Sequence, residues 1–249
     1  MAIIKLSETS TRAPEGFDKE ETKAKTKEIL DELGELQNLL YAQSKFSVLV
    51  ILQGLDASGK DGTIRKVFGS LNPQGVSVKS FKVPTEEEKS YDFLWRVHKE
   101  VPGKGMIKVF NRSHYEDILV TRVHKWVDDS TAKKRMEAIN HFENLIRIHN
   151  NTHLLKFYLH ISREEQLERL NERIHDPAKQ WKYNENDFTE SGFWDDYMKA
   201  YEDCFEHCGQ IPWMVIPADQ NWYKEYLIAS SLHKLLKSLD MQYPGLKKG

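Results

Sequence analysis

The chain has 249 residues and a formal net charge of −2, with 30% charged and 39% hydrophobic residues. That length suits one α/β domain with a sizeable core, and the composition excludes a disordered chain. The near-neutral charge argues against a general nucleic-acid binder, no apolar stretch approaches the ~20 residues that a membrane helix needs, and the start Met1-Ala-Ile-Ile-Lys-Leu6 lacks the form of a secretory signal. A cytoplasmic protein without nucleic-acid or membrane partners is therefore expected.

Residues 1–17 read as a loose tail. Lys19 to Ala42 reads as a charged helix whose apolar stripe is Ile29, Leu30, Leu33, Leu36, Leu39 and Leu40, so residues 1–45 form an N-terminal tail and helix. Such a helix packs on the sheet or on another subunit. Apolar, β-rich segments follow at 46–52, 76–81, 106–110, 153–161 and 212–216, separated by helical patterns. Strands alternating with helices predict a parallel sheet of about five strands with helices on both faces.

The run Phe46-Ser-Val-Leu-Val-Ile-Leu52 feeds into Gln53-Gly54-Leu-Asp56-Ala-Ser58-Gly59-Lys60-Asp61-Gly62-Thr63, and a helical stretch continues from Lys60 to Leu71. A G-x-x-x-x-G-K loop between strand and helix is a phosphate cradle: backbone N–H groups and a helix N-terminus converge on one spot, and the lysine adds a point charge. Gly54, Ser58, Gly59, Lys60, Gly62 and Thr63 are the expected phosphate-binding positions. Where such loops ordinarily place Ser or Thr on a magnesium ion, this chain has Asp61, and Asp56 is a second acid inside the loop. Carboxylates facing a polyanion are repelled unless a divalent cation lies between, so metal-bridged phosphates are expected. Arg65 and Lys66, with Lys79 and Lys82 at the end of the second strand, either line a positive groove for an extended anion or are plain solvent charges.

The third strand ends in Asn111-Arg112-Ser113-His114-Tyr115-Glu116-Asp117. Ligand-binding residues of open parallel sheets cluster at strand carboxyl ends. There Arg112 can grip a phosphate in bidentate fashion, and Glu116 and Asp117 can polarise an attacking oxygen or hold Mg²⁺ through water. The plain alternative is a helix start capped by Ser113. Upstream, Thr85 and Glu88 suit a capping box. Residues 175–190 interrupt helical patterns with polar and basic residues and a proline, as a closing lid does; the alternative is an ordinary helix–turn–helix. Cys204 and Cys208, with His207 between them, read as ordinary thiols on one helical face, since no second Cys pair exists to complete a tetrahedral metal site.

Five blocks stand in order over roughly residues 46–240. They are Gly54-Leu-Asp-Ala-Ser-Gly-Lys-Asp61; Pro84-Thr85 through Asp92-Phe-Leu-Trp-Arg96-Val-His98; Phe110-Asn-Arg-Ser-His-Tyr-Glu-Asp117; Glu168-Arg-Leu-Asn-Glu-Arg173 with Asp176-Pro-Ala-Lys179-Gln-Trp-Lys182; and Pro212-Trp-Met-Val-Ile-Pro-Ala-Asp219-Gln-Asn-Trp222-Tyr. In this pattern the sequence resembles the polyphosphate kinase 2 family. The resemblance implies a single domain over 1–249 with a P-loop kinase-like, three-layer α/β/α fold and a helical lid. It implies Mg²⁺-dependent transfer of the terminal phosphoryl group between inorganic polyphosphate and nucleotides, adenine and also guanine, by a homo-oligomer.

The same resemblance puts Asp56, Lys60 and Asp61 on the phosphate and metal loop, Arg112 on the catalytic arginine, and Arg173, Lys179 and Lys182 on the lid. Together with the residue reading, the expected catalytic set is Asp56, Lys60, Arg112, Glu116 and Asp117, and the expected metal set is Asp56, Asp61 and Asp117. Asn111 and Glu116 resemble the group that phosphorylates nucleoside monophosphates as well as diphosphates, which puts a metal role for position 111 in doubt. Two rivals share parts of the pattern: an ATP-dependent nucleoside monophosphate kinase and a catalytically idle nucleotide-binding module.

Overall fold

In the computed structural model, which describes residues 4–246, the apolar segments become five parallel strands. They are β1 (Ser47–Gln53), β2 (Val76–Ser80), β3 (Ile107–Asn111), β4 (Thr152–His160) and β5 (Trp213–Pro217), ordered β2-β3-β1-β4-β5. β1 lies at the centre, with Ile51 opposite Phe110 of β3 and Leu52 opposite Phe157 of β4. All its residues are buried, as a strand covered on both faces requires. The predicted strands are recovered within a residue at each end.

Alternate residues of β1 feed two cores. Leu49 and Ile51 pack with Phe110 and Tyr158 against α5 (Glu116–Val123), α6 (Asp129–His149) and α9 (Trp194–His207). Val48, Val50 and Leu52 pack with Phe157 and Leu159 against α1 (Lys19–Gln43) and α10 (Asn221–Ser238). This is the expected three-layer α/β/α arrangement. α1 starts at an Asp18 side chain that accepts from the Glu21 N–H, and it buries Leu33 and Leu40 against α10 and the sheet. Each such leucine contributes about 1.5–3 kcal/mol.

The chain before α1 differs from the loose tail expected of it. Leu6 is buried in a short 3-10 turn, its N–H donates to Glu202, and the Thr11 hydroxyl donates to Asp219 at 2.8 Å. One apolar side chain and two acidic acceptors are enough to pin this segment across the carboxyl ends of β4 and β5. Of the expected domain span 1–249 and tail 1–17, residues 1–3 and 247–249 lie outside the described residues. Among the described residues no helix is long and apolar enough to cross a membrane.

Candidate active site

The carboxyl end of β1 opens into a turn that only particular residues can form. Gly54 has φ +151°, and a Cβ there would meet Ser58 Oγ at 2.8 Å and the Leu159 carbonyl at 2.9 Å. Gly59 has φ +92° and makes room for the Lys224 ammonium. Ala57, between them, adopts φ +62°, as does Arg112 (φ +60°) on the facing wall; both are left-handed residues without glycine's freedom. After the turn come α2 (Lys60–Thr63) and a π-helical turn over Ile64–Phe68.

Every carbonyl from Gly54 to Ser58 accepts a side-chain hydrogen bond from a cation or amide. Lys60 Nζ donates to the Gly54 and Leu55 oxygens at 2.8 and 3.0 Å. Gln166 and Arg169, on α7 (Arg163–His175), donate to the Asp56 and Ala57 oxygens at 3.0 and 3.1 Å, and Lys224 of α10 donates to the Ser58 oxygen at 3.1 Å. With the carbonyls drawn inward, the loop offers its N–H side to a phosphate.

The loop forms one wall of a cleft of about 830 Å³ lined by Asp56, Gly59, Lys60, Asp61, Gly62, Arg65, Lys66, Lys82, Asn111, Arg112, Arg173, Lys179 and Lys182, among others. Most of the expected phosphate and catalytic residues therefore share one space. Gly54, Ser58, Thr63 and Glu116 do not line it: Gly54 lies at the strand end, Ser58 and Thr63 are fully buried behind the loop surface, and Glu116 lines a small adjoining pocket with Gly54, Asp56 and Arg112.

Several of the cleft's cations rest on acids. Arg112 spans the cleft, pairing with Asp56 through Nη2 and donating to Glu116 at 2.9 Å through Nη1. Glu116 also accepts from Gln53 at 3.0 Å. Arg173 pairs with Asp187 at 2.5 Å, Lys179 with Glu172 at 2.6 Å, and Lys182 approaches Asp61 to 3.7 Å. Asp61 also accepts from Asn111 at 2.7 Å. Burial alone would raise the Asp56 carboxyl, but Arg112 and then Lys60 hold it below the usual range. Lys60 is lowered to about 8, first by burial and then by Arg112.

The segment after β3 is anchored from beneath. Buried Lys156 donates to the Tyr115 hydroxyl at 2.8 Å, to Glu143 at 2.9 Å and to the Cys208 carbonyl at 2.8 Å. Burial would raise Glu143, yet Lys156 keeps it ionised and lowered. Tyr115 donates to Glu143 at 2.7 Å, so the turn carrying Arg112 and Glu116 is tied to a buried ion pair. Ser113 caps no helix; its Oγ accepts from the Tyr115 N–H within the turn, and α5 begins only at Glu116.

Asp117, expected in the metal and catalytic sets, lies apart from the other acids. Its carboxylate turns away from the cradle to Arg96, at 3.3 Å, and it does not line the cleft. Helical geometry explains this: adjacent residues on α5 point about 100° apart, so Glu116 and Asp117 cannot both face the loop. Burial raises the Asp117 carboxyl, and Arg96 partly offsets that. Lys79 is likewise withdrawn, paired with Glu100 at 2.8 Å. Cys204, on the inner face of α9, and Cys208, just past its end, are buried free thiols.

The sequence profile of the family described as Polyphosphate kinase 2 matches residues 16–246. The chain belongs to the polyphosphate kinase 2 family. An AMP/ADP-polyphosphate phosphotransferase from Meiothermus ruber is 49% identical over 214 residues, covering 85% of this chain and 80% of that protein. An ADP-polyphosphate phosphotransferase from Rhodopseudomonas palustris is 40% identical over 229 residues, covering 86% and 79%. The crystal structure of Polyphosphate Kinase 2 from Arthrobacter aurescens TC1 superposes with a TM-score of 0.96 at 39% identity, covering 100% of this chain and 90% of that one.

Within this polyphosphate kinase 2 frame, sequence reasoning missed Gln166, Arg169 and Lys224. A signal existed for the first two. Gln166, Arg169 and Arg173 recur at i, i+3 and i+7, one helical face of polar donors beside the loop. Lys224 gave none, because a lysine on an amphipathic helix reads as solvent-facing until the fold buries it.

Proposed function

We propose that this polyphosphate kinase 2 moves the terminal phosphoryl group between inorganic polyphosphate and adenine nucleotides, with both AMP and ADP as acceptors, and guanine nucleotides as a second class. The observation that carries the reading is the wall of Lys60, Arg112, Arg173 and Lys182 around a cradle in which Asp61 replaces the usual hydroxyl residue. Phosphoryl transfer asks little covalent work of a protein, so positioned charge supplies most of the rate. Lys60 leaves the loop carbonyls for a phosphate oxygen. Arg112, already bridging both walls, shifts from Asp56 onto the transferring group as charge develops there. Residues 175–190 act as the lid, bringing Lys182 onto the phosphates from the far side. The nucleotide substrates support a cytoplasmic setting.

A divalent cation fits Asp56 and Asp61. Among the described residues no group of three or more His, Cys, Asp or Glu side chains could hold a metal alone. Mg²⁺ characteristically binds one or two carboxylates and completes its shell with water and substrate phosphate, which suits two acids on an open cleft. Asp56 and Asp61 would hold it, and it would supply neutralisation of the phosphate charge. Mg²⁺ is the ion we propose.

The test is incubation with AMP, polyphosphate and Mg²⁺ followed by nucleotide separation. Formation of both ADP and ATP is expected. Reaction of AMP only with ATP, and never with polyphosphate, transfers the chain to the monophosphate-kinase rival, and no turnover with any pair makes it an idle binding module.

A further inference from the structure

Lys156 is the least expected residue of the sheet. It stands in the middle of β4, and its neighbours on the same face, Leu154 and Tyr158, belong to the core that packs against α5, α6 and α9. An apolar side chain would be the default there, yet Lys156 is wholly buried, and so are its partners Glu143 and Tyr115. The cluster is closed on itself. Lys156 spends its three donors on the Tyr115 hydroxyl, Glu143 and the Cys208 carbonyl, and the Tyr115 hydroxyl donates in turn to Glu143. Edge-on contact of the Tyr115 ring with Trp213, centroids 4.7 Å apart, completes its seat.

Stability does not account for such a cluster. Taking two charges out of water costs about as much as their attraction returns, so an apolar trio of similar volume would hold the sheet to α6 as well or better. What the polar cluster adds is direction: a hydroxyl that accepts from Lys156 and donates to Glu143 has one position, whereas a phenyl ring could settle in several. That position matters because of what flanks it in the chain. Arg112, three residues before, donates its N–H to the Leu52 carbonyl of β1 at 3.0 Å and adopts φ +60°, a conformation that arginine holds only where its surroundings impose it. Glu116, one residue after, starts α5 and accepts from Arg112. Tyr115 is the fixed point between the two.

Building on the proposed phosphoryl transfer, we infer that Tyr115, clamped by Lys156 and Glu143, is a positioning residue: the buried ion pair sets the turn of residues 112–116 so that the Arg112 guanidinium meets the transferring group. None of the three lines the cleft. Their effect therefore reaches the reaction only through Arg112. It falls on kcat, because a guanidinium displaced from the developing charge leaves ground-state binding of either substrate to the cradle in place.

The test compares two variants with the parent. Tyr115→Phe removes one hydroxyl and keeps the ion pair, whereas Tyr115→Phe/Glu143→Leu/Lys156→Met makes the whole cluster apolar at nearly constant volume. The triple variant should match or exceed the parent's urea-unfolding free energy while kcat falls about tenfold or more and KM for ADP and polyphosphate stays within about twofold. Amide hydrogen exchange, followed by mass spectrometry, should speed up about tenfold over residues 111–118 and stay parent-like in β1 and β4. A parent-like kcat in the folded triple variant overturns the inference, and so does faster exchange throughout the chain, which is what a purely structural cluster would give. If the triple variant does not fold, Tyr115→Phe decides: kcat about fivefold lower with KM and the exchange pattern as above upholds the positioning role, and a parent-like kcat overturns it. A parent enzyme that uses no polyphosphate removes the proposed function instead, and the exchange pattern still decides whether the cluster sets the turn.

Discussion

Lys224 Nζ donates to the Ser58 carbonyl at 3.1 Å from beneath the phosphate loop, filling the space that Gly59 leaves by having no side chain. Its ammonium also donates to Asn221 at 2.8 Å and is almost wholly buried. Burial first, then Arg169, lowers its pKa from 10.5 to about 7. Between those two values the unfolded chain holds a proton that the folded chain does not, so this group's contribution to stability rises with pH across the window and is least favourable below about 7. Lys224→Met should flatten that alkaline gain, seen as a smaller rise in urea-unfolding free energy between pH 7 and 9 than in the parent. The freed Ser58 carbonyl should loosen the cradle and lower kcat/KM for the phosphoryl donor about tenfold, in keeping with loss of roughly 1.5 kcal/mol from a charged hydrogen bond. Parent-like kinetics would reduce Lys224 to a core residue.

Lys60 makes a second pH dependence. Its pKa near 8 in the free protein means that the phosphate-gripping ammonium is lost as pH rises through that value. A bound phosphate favours the charged form, so kcat/KM for polyphosphate should hold below about pH 8 and decline above it. In Lys60→Arg the guanidinium stays charged, and the alkaline limb should move upward even if the plateau drops. Lys60→Ala should cost several kcal/mol of transition-state stabilisation without unfolding the protein, read as at least a hundredfold loss of kcat by assay and an unchanged thermal midpoint. Residual activity within tenfold of the parent contradicts the cradle role.

The strands and the loop were legible because the signals that define them are local: a short apolar run, then glycine at two of the three loop positions where φ is positive. Arg112 was legible for a similar reason, lying just past a strand end. What escaped depends on long-range burial. Thr11 meets Asp219 across 208 positions in sequence, and Lys224 meets Ser58 across 166, distances over which no periodicity carries information. Asp117 shows the opposite case. A pair of adjacent acids reads as one metal-binding patch until the helix that carries them sends Glu116 to Arg112 and Asp117 to Arg96.

That divergence gives a paired prediction on the metal. Asp61→Asn should raise the Mg²⁺ concentration for half-maximal activity several-fold, because the amide keeps the shape and hydrogen-bonding reach but loses the charge that holds a cation. Asp117→Asn should leave that Mg²⁺ concentration unchanged and instead lower the unfolding free energy by about 1–3 kcal/mol, since it leaves the buried Arg96 poorly paired. Mg²⁺ titrations of initial rate and urea unfolding on both variants decide between these outcomes. Equal Mg²⁺ responses would restore Asp117 to the metal set.

The two lid lysines should also separate. Lys182 points at Asp61 across the cleft at 3.7 Å, whereas Lys179 is held by Glu172 at 2.6 Å and Asp176 at 3.6 Å on its own side. A cation that meets phosphate only on closure contributes mainly in the transition state. Lys182→Gln should therefore lower kcat about tenfold with little change in nucleotide KM, and Lys179→Gln should lower it less. A large loss of nucleotide affinity at constant kcat in Lys182→Gln would move that residue into the ground-state binding site.

Glu116 should decide the choice of acceptor. It accepts from Gln53 at 3.0 Å and from Arg112 at 2.9 Å, and so stands one residue from the cradle's carboxylate Asp56 through a shared guanidinium. AMP is shorter than ADP by one phosphate, so its attacking oxygen reaches the donor phosphoryl group from further down this wall, where an added carboxylate can orient it and its cation. Glu116→Gln keeps the side chain's length and an acceptor oxygen for Gln53 but removes the charge that balances Arg112. AMP phosphorylation by polyphosphate should then fall at least tenfold more than ADP phosphorylation, measured as kcat/KM for each acceptor. A role confined to holding Arg112 would depress both acceptors alike, because both reactions need the same arginine on the same transferring group. An unchanged AMP-to-ADP ratio therefore assigns Glu116 to Arg112 alone.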